Sequence, residues 1–199
     1  MRKRSSAPCN PHNRPVSSLN LVEQMDRSGK VAGAFRRLTV LKQAKELETA
    51  RPELPTGPFQ VIVADPPWQY ESGSPLPYPT MALEEIKAMH IRDIADENAI
   101  LWLWTTNAHL RVAFDVVDAW GFEYKSLLTW VKDRMGTGEW LRGQTEHCLL
   151  AVRGKPLFVN GTQTTVLEAV RREHSRKPDE FYALVAATCP GRKSGIVLP

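Results

Sequence analysis

A carboxylate, two prolines and a tryptophan stand together where an apolar run of the chain ends. The run is Val61–Ala64, and the residues that follow it are Asp65, Pro66, Pro67 and Trp68. Prolines fix φ and have no amide donor, so the backbone here is stiff and its carbonyl oxygens are expected to be available as acceptors. A carboxylate, a rigid carbonyl and a flat indole ring together suit a flat base that carries an exocyclic amine.

The amine of adenine is a poor nucleophile, because its lone pair is delocalised into the ring. A carboxylate and a carbonyl that accept its two hydrogens would favour the attacking geometry by electrostatic preorganisation rather than by full deprotonation. An aromatic ring would hold the base once it has left its stack. The alternative is a purely structural strand-to-turn junction in which Asp65 caps the turn.

Strand-like and helical segments alternate along the chain from this motif onward. Predicted strands cover residues 59–64, 99–105, 123–131 and 146–154, and predicted helices cover 80–89, 107–120 and 177–188. Thr80 is a candidate cap of the first helix, Gly121 a stop for the second, and Pro178 lies in the first turn of the third. The continuous apolar strands predict an α/β fold with a mainly parallel sheet and helices on both faces. Ligands bind beyond the carboxyl ends of strands in such sheets, where Asp65 would lie.

Cysteine and histidine spacing gives no sign of a metal site. Among the three cysteines and five histidines, no pair has the spacing of zinc ligands, so no structural metal is expected. Cys148 lies in an apolar run and is expected in the core. No apolar run is long enough to cross a bilayer, and we expect a soluble, cytoplasmic protein with no membrane partner.

Positive charge is concentrated at the N-terminus. Residues 1–57 contain 11 lysines and arginines and 5 acidic residues, a net of +6, whereas the rest of the chain has a net of −2. We therefore expect a basic, partly disordered and helical extension over 1–57, with the pattern of a helix over 19–50, and a separate α/β domain over 58–199. A basic arm suggests a polyanionic partner, and a solvated helix with a frayed tail is the alternative.

Seven short segments, in this order, resemble the MT-A-type adenine-N(6) methyltransferases, which include eukaryotic mRNA adenosine methyltransferase subunits and bacterial and phage relatives. The segments are DPPW (65–68), PYPTM (77–81), LWLWTTN (101–107), WGFEY (120–124), WVK (130–132), EHCLLAVRG (146–154) and SRKPDEFY (175–182). DPPW is the signature of the family, and the resemblance covers about residues 52–193.

The resemblance implies a Rossmann-like, S-adenosylmethionine-dependent methyltransferase fold in permuted order, with the catalytic strand before the cofactor strand. It implies methyl transfer from S-adenosylmethionine to the adenine amine of a nucleic acid partner. By position, Asp65 and Pro66 would hold the amine, followed in the signature by Pro67 and Trp68. Asp65 would also lie near the amino group of the cofactor, and Lys177 would pair with the cofactor carboxylate.

Two more residues would line the substrate side by the same resemblance. Trp68 and Tyr78 would form the base pocket, and Glu146 would face the adenosine. Tyr78 could instead simply pack its proline-rich loop, and Glu146 could be a solvated charge at a strand edge. The other tryptophans are expected in the core rather than at a ligand; they are Trp102, Trp104, Trp120 and Trp130.

The resemblance ends near Lys193, where the family continues with a strand reading roughly LELFAR. This chain reads SGIVLP, and GIVL could still form a strand but has neither an acid nor an arginine. We hypothesise a frameshifted, truncated cofactor strand near the centre of the sheet, with weak cofactor binding and low stability. A truncated, inactive member that only binds nucleic acid or a partner subunit is therefore the alternative function. An unrelated nucleotide-binding domain lacks support, because the sequence has no Gly-rich phosphate loop. The sequence leaves open DNA against RNA and a homo- or heterodimer.

Overall fold

The computed structural model describes the part of the chain that carries most of these motifs. The described residues are 54–70, 80–136, 138, 140–159, 161–172, 176–191 and 193–197, the last four of them as backbone only. The expectations for the N-terminal extension and for Tyr78 lie outside this range and stay predictions.

A six-stranded sheet forms the centre of the structure, and four helices accompany it. The strands are β1 (Phe59–Asp65), β2 (Ala95–Thr105), β3 (Glu123–Lys132), β4 (Thr145–Arg153), β5 (Val166–Ala169) and β6 (Lys193–Val197), in the order β5-β3-β4-β2-β1-β6. The helices are α1 (Leu83–Lys87), α2 (Ile91–Ile94), α3 (Leu110–Ala119) and α4 (Asp179–Thr188). None of the described helices is long and apolar enough to cross a membrane. The α/β class is confirmed.

The sheet is mixed, which corrects the prediction of a mainly parallel one. β1 runs parallel to β2 and β6, and β3 runs parallel to β5, but β4 is antiparallel to both β2 and β3. The described residues between β3 and β4 form no helix, and a chain that returns without a crossover must reverse its direction. The start of β4 therefore lies at the edge of the sheet where β1, β2 and β3 end.

Alternating side chains of the strands build two cores, one on each face of the sheet. Ile62 and Leu103 pack with α1, α2 and α3 on one face. Val63 and Trp104 pack with α4 on the other, and Asp65 continues this second series by its position in β1. The core positions expected from sequence are confirmed by exposures of 3% or less; they are Trp102, Trp104, Trp120, Trp130 and Cys148.

Helix ends agree with the sequence in part. α3 is followed by Gly121 with φ +77°, and α4 has the two predicted acids in its first turn, although Pro178 is its N-cap rather than a residue of that turn. Thr80 does not cap α1: the N-cap is Ala82, whose amide donates to Glu85 Oε2 at 2.8 Å. The chain before it is extended, because the amide of Met81 donates to the Pro67 carbonyl at 2.9 Å, so the helix starts later than predicted.

A strand occupies the position where the family resemblance placed the last strand. Residues 193–197 form β6, which pairs in parallel with β1 from Val61↔Lys193 to Asp65↔Val197. β6 lies at the edge of the described sheet, not near its centre as hypothesised. The first strand and the last are thus neighbours, and the carboxyl end of β1 is fixed on both sides.

Candidate active site

Four charged side chains from four different segments meet at the carboxyl edge of β1. Asp65 ends β1, Lys132 ends β3, Glu146 is the second residue of β4, and Lys177 precedes α4 by two residues. The reversed direction of β4 brings Glu146 to the edge that Lys132 and Asp65 reach from the opposite direction. We call these four residues the charged cluster.

The charges in the cluster alternate along a single chain of contacts. Lys177 Nζ lies 2.7 Å from Asp65 Oδ2 and 3.2 Å from Glu146 Oε2. The other oxygen of Glu146, Oε1, lies 2.5 Å from Lys132 Nζ. Two ammonium groups therefore balance two carboxylates, with Lys177 between two acids and Glu146 between two bases.

The sheet and the indole rings of Trp104 and Trp130 largely enclose the charged cluster. The side chain of Lys177 is 8% exposed, those of Lys132 and Glu146 are each 16% exposed, and that of Asp65 is 24% exposed. Lys177 Nζ lies 5.2 Å from the ring centroid of Trp104. Buried charges are tolerated when they are paired, so each member depends on the others.

Burial and pairing shift the pKa values of the two acids in opposite directions. Burial raises the pKa of Asp65 above its usual value, and the nearby ammonium of Lys177 offsets this only in part. Burial also acts to raise the pKa of Glu146, but Lys177 and Lys132 outweigh it and hold that pKa below its usual value. The pKa of Asp65 is therefore raised while that of Glu146 is lowered, and opposite shifts in neighbouring carboxylates are typical of functional sites.

The carbonyl groups of the proline turn each accept one backbone hydrogen bond. The Pro66 carbonyl accepts the amide hydrogen of Trp68 at 2.9 Å, and the Pro67 carbonyl accepts that of Met81 at 2.9 Å. A carbonyl oxygen has two lone pairs, so Pro66 keeps one further acceptor position beside Asp65.

Trp68 is buried, whereas a ring that stacks on a base needs an exposed face. Its ring is 5% exposed and belongs to the core on the face of α1 to α3. The indole N–H donates to the Trp104 carbonyl at 3.1 Å, and the ring stacks on His109 with centroids 5.4 Å apart. Contact between Trp68 and a base stays a prediction, and the observed contacts make this ring an anchor of the turn.

A hydrogen-bonded chain around His109 fixes the residues after the signature. His109 Nε2 lies 2.9 Å from the carbonyl oxygen of Gln69, which can only accept, so Nε2 carries the hydrogen. In the neutral ring, Nδ1 then accepts from the Thr106 hydroxyl at 3.1 Å, and that hydroxyl accepts from Tyr70 at 3.2 Å. Because 40 residues separate His109 from Gln69, no local sequence signal indicates the contact.

We expect His109→Ala to weaken the fold, because it removes two ring contacts, with Trp68 and Tyr70, and two hydrogen bonds at about 1 kcal/mol each. The free energy of unfolding, measured in urea, should fall by about 2–4 kcal/mol. His109→Phe should recover only the ring contacts. His90→Ala is the matched control, because the His90 side chain is 82% exposed and pairs with Asp93, which is also exposed. Equal stability of the two alanine variants would contradict a stabilising role of the contacts around His109.

A second polar group locks the end of β2 to β3 and β4. His147 Nε2 donates to Asn107 Oδ1 at 2.8 Å, and its Nδ1 lies 3.1 Å from the Thr129 hydroxyl. The Asn107 amide donates to the Thr145 carbonyl at 3.1 Å. Partial burial lowers the pKa of His147, so the neutral ring is favoured at pH 7. These contacts hold Glu146, the neighbour of His147, in register.

A groove of about 420 Å³ lies at the other end of the strands, away from the charged cluster. It is lined at the start of β1 by Gln60 and at the end of β4 by Lys155. The groove includes no member of the charged cluster. The buried charges, and not the size of a cavity, therefore mark the candidate active site.

The structure brings together three of the residues predicted for the site and adds one. Lys177 contacts both Asp65 and Glu146, as a common site requires. Lys132 lies in one of the family segments, but the resemblance assigns it no role, and it is the fourth member. Its contact with Glu146 depends on the antiparallel pairing of β3 and β4, which the sequence did not show.

The MT-A70 family matches residues 59–196, which is more than half of the chain. The chain belongs to the MT-A70 family. It is 35% identical over 146 residues to the human N(6)-adenosine-methyltransferase catalytic subunit and 34% identical over 145 residues to a putative N(6)-adenosine-methyltransferase of Medicago truncatula. These matches cover 69% of this chain but only 25% and 23% of the two relatives. The family resemblance read from the sequence is confirmed.

A bacterial MT-A70 relative is of similar extent to this chain. The type II methyltransferase M.MunI of a Mycoplasma species is 30% identical over 165 residues, which covers 70% of each protein. The similarity to methyltransferases therefore extends over most of the length of at least one relative.

Proposed function

We propose that this chain transfers a methyl group from S-adenosylmethionine to the exocyclic amine of adenine in nucleic acid. Membership of the MT-A70 family supports the reaction class. The single observation that carries the assignment of the site is the 2.7 Å pair between Asp65 and Lys177 at the stiff end of β1. The negative charge of Asp65 and the positive charge of Lys177 match the groups that the cofactor and the adenine amine would present.

The donor set of the cluster fits the amino-acid end of S-adenosylmethionine. That end carries one carboxylate and one ammonium group, and Lys177 and Asp65 supply the two opposite charges in contact with each other. Lys177 would hold the carboxylate and Asp65 the ammonium. When bound, the cofactor supplies an electrophilic methyl group on a positively charged sulfur.

Asp65 and Pro66 are the proposed acceptors of the two hydrogens of the adenine amine. Burial raises the pKa of Asp65, which makes its carboxylate a better proton acceptor, and Pro66 keeps one carbonyl lone pair. Two fixed acceptors orient the amine nitrogen without reorganisation during the reaction. As the C–N bond to the methyl group forms, the bond between that methyl group and the cofactor sulfur would break, S-adenosylhomocysteine would leave, and the amine would pass one proton to the Asp65 carboxylate.

Glu146 is the proposed contact for the adenosine of the substrate. Each of its oxygens has one lysine partner, so each keeps an additional lone pair for a hydroxyl or amine donor. Its ionised state is favoured by both lysines, so it would act as an acceptor.

The loop between β3 and β4 is the proposed nucleic-acid contact next to the cluster. It begins directly after Lys132 and ends before Glu146, and its Trp140 and Leu141 are 94% and 87% exposed. The exposed arginines Arg134 and Arg142 stand on the same loop. Stacking rings beside cations are typical of single-strand contacts. The basic residues 1–57 would add further phosphate contacts.

Trp140→Ala should weaken substrate binding without affecting the fold, because the ring makes almost no contact within the protein. Loss of one stacked base is worth about 1–3 kcal/mol, so the KM for an oligonucleotide should rise about tenfold or more. Cofactor affinity and the free energy of unfolding should stay the same. Leu157→Ala, which removes another side chain that is 72% exposed, is the control. An unchanged KM in Trp140→Ala would exclude the loop contact.

The reaction is tested with cofactor labelled in its methyl group and matched oligonucleotides of DNA and RNA. In one set a single adenine is present, and in the other that adenine is replaced by purine, which lacks the amine. We expect label only in the adenine set, and the comparison of DNA with RNA identifies the preferred substrate. Label in the purine set, or cofactor binding without transfer to either nucleic acid, would contradict the proposal.

A further inference from the structure

Lys132 is held in place by contacts that do not involve a ligand. Its amide donates to the Gln144 carbonyl at 2.9 Å, and the Gln144 side-chain amide donates back to the Lys132 carbonyl at 2.9 Å. The Lys132 ammonium lies 4.8 Å from the ring centroid of Trp130 and 2.5 Å from Glu146 Oε1. Strand pairing sets Trp130 opposite Glu146, so the two side chains start from the same rung of the sheet.

Lys177 is placed differently, because it lies in the segment before α4 rather than on a strand. Its ammonium is closer to Asp65, at 2.7 Å, than to Glu146, at 3.2 Å. If this ammonium turns to the carboxylate of a ligand, both acids lose contact with it. Asp65 would gain the ammonium of the same ligand as a replacement, but Glu146 would gain nothing from that end of the ligand.

We propose that Lys132 is a positioning residue that keeps Glu146 ionised and oriented when Lys177 changes partner to a carboxylate ligand. The identity of that ligand rests on the proposed function, whereas the pairing of Lys132 with Glu146 does not. Because Lys132 holds Oε1, the partner change releases only Oε2. Glu146 then presents one acceptor oxygen in a fixed direction and avoids being an uncompensated buried charge.

The ionisable groups that face Glu146 come from the segments around it. They are Lys132 on β3, His147 beside it on β4, Asp65 on β1 and Lys177 before α4. Burial acts to raise the pKa of Glu146, and the two lysines act to lower it. Removal of Lys132 should therefore raise this pKa, because an adjacent opposite charge favours the ionised carboxylate.

The test is a carbon-13 NMR titration of the glutamate carboxyl groups, with the Glu146 signal assigned from Glu146→Gln. We expect Lys132→Met to raise the Glu146 pKa in the ligand-free protein and Lys132→Arg to restore it. Lys132→Gln gives the same comparison should the methionine variant fail to fold. Lys87→Met is the matched control, because Lys87 pairs with the exposed Glu84 on the surface of α1.

The same titration with saturating S-adenosylhomocysteine tests the partner change. In the unmodified protein Glu146 should stay ionised at pH 7, and in Lys132→Met its pKa should rise further when the ligand binds. In Lys132→Met the acid limb of the pH profile of kcat/KM should move to higher pH by the same amount as the pKa of Glu146. Identical Glu146 titrations in the unmodified and Lys132→Met proteins would overturn the proposal. Failure of the ligand to bind would count against the proposed function alone, because the ligand-free titration does not depend on it.

Discussion

Asp65→Asn should abolish methyl transfer and leave the protein folded. The asparagine has the same shape, but it lacks the charge that accepts the amine hydrogens and one proton. Loss of one preorganised polar group at a reacting centre costs about a hundred- to a thousandfold in rate, and loss of the proton acceptor adds to this. We therefore expect kcat to fall by about a thousandfold or more, measured by incorporation of labelled methyl groups at saturating substrate.

Asp93→Asn is the control for this variant. The Asp93 side chain is 71% exposed on α2 and is paired with His90 on the surface. It should keep full activity, and circular dichroism should show both variants folded. Full turnover by Asp65→Asn would exclude Asp65 from the reaction, and unfolding of that variant would make its role structural.

Lys177→Met should have the largest effect on stability. The change removes the central cation and leaves Asp65 and Glu146 in one largely enclosed site, where Lys132 still pairs with Glu146. Removal of one partner from a buried ion pair costs about 3–5 kcal/mol. We expect the free energy of unfolding in urea to fall by this amount at pH 7, together with loss of cofactor binding.

The pH dependence of Lys177→Met has a definite sign. Without Lys177, burial and mutual repulsion raise the folded-state pKa of both acids above their unfolded values. A group with a raised folded-state pKa stabilises the fold at pH values below its unfolded pKa, and that contribution is lost as the pH rises. The difference in free energy of unfolding between Lys177→Met and the unmodified protein should therefore become smaller from pH 7 to about pH 4.

Addition of Asp65→Asn to Lys177→Met should recover part of the stability at pH 7, because it removes the carboxylate that has lost its ammonium partner, whereas Glu146 keeps Lys132. Lys87→Met, a change at an exposed pair, should cost less than about 1 kcal/mol. A loss of stability in Lys177→Met that is the same at pH 7 and pH 4 would show that packing, not charge, explains the effect.

The sequence was most informative where apolar runs and turn residues agree. The run Val61–Ala64 followed by two prolines predicted a buried strand that ends at Asp65, and β1 ends there. The tryptophan pattern predicted the core, because a large apolar side chain in a strand has few other places. The MT-A70 motifs brought Glu146 and Lys177 into the prediction although 31 residues separate them.

Long-range pairing explains what the sequence could not show. β5 has four residues in a polar segment, and it is fixed by pairing with β3 and by the Trp130 indole donating to the Ala169 carbonyl at 2.9 Å. A buried antiparallel strand has the same apolar pattern as a buried parallel one, so the direction of β4 was not predictable. Because that direction places Lys132 against Glu146, the fourth member of the cluster was missed with it.

A crystal structure of the complex with S-adenosylhomocysteine tests most directly whether Asp65, Glu146 and Lys177 form the cofactor end of the site. We expect the ligand carboxylate on Lys177 and its ammonium on Asp65, with Lys132 still paired to Glu146. A ligand bound elsewhere, for example in the groove beside Gln60, would contradict the assignment, as would a ligand that leaves Lys177 between its two carboxylates.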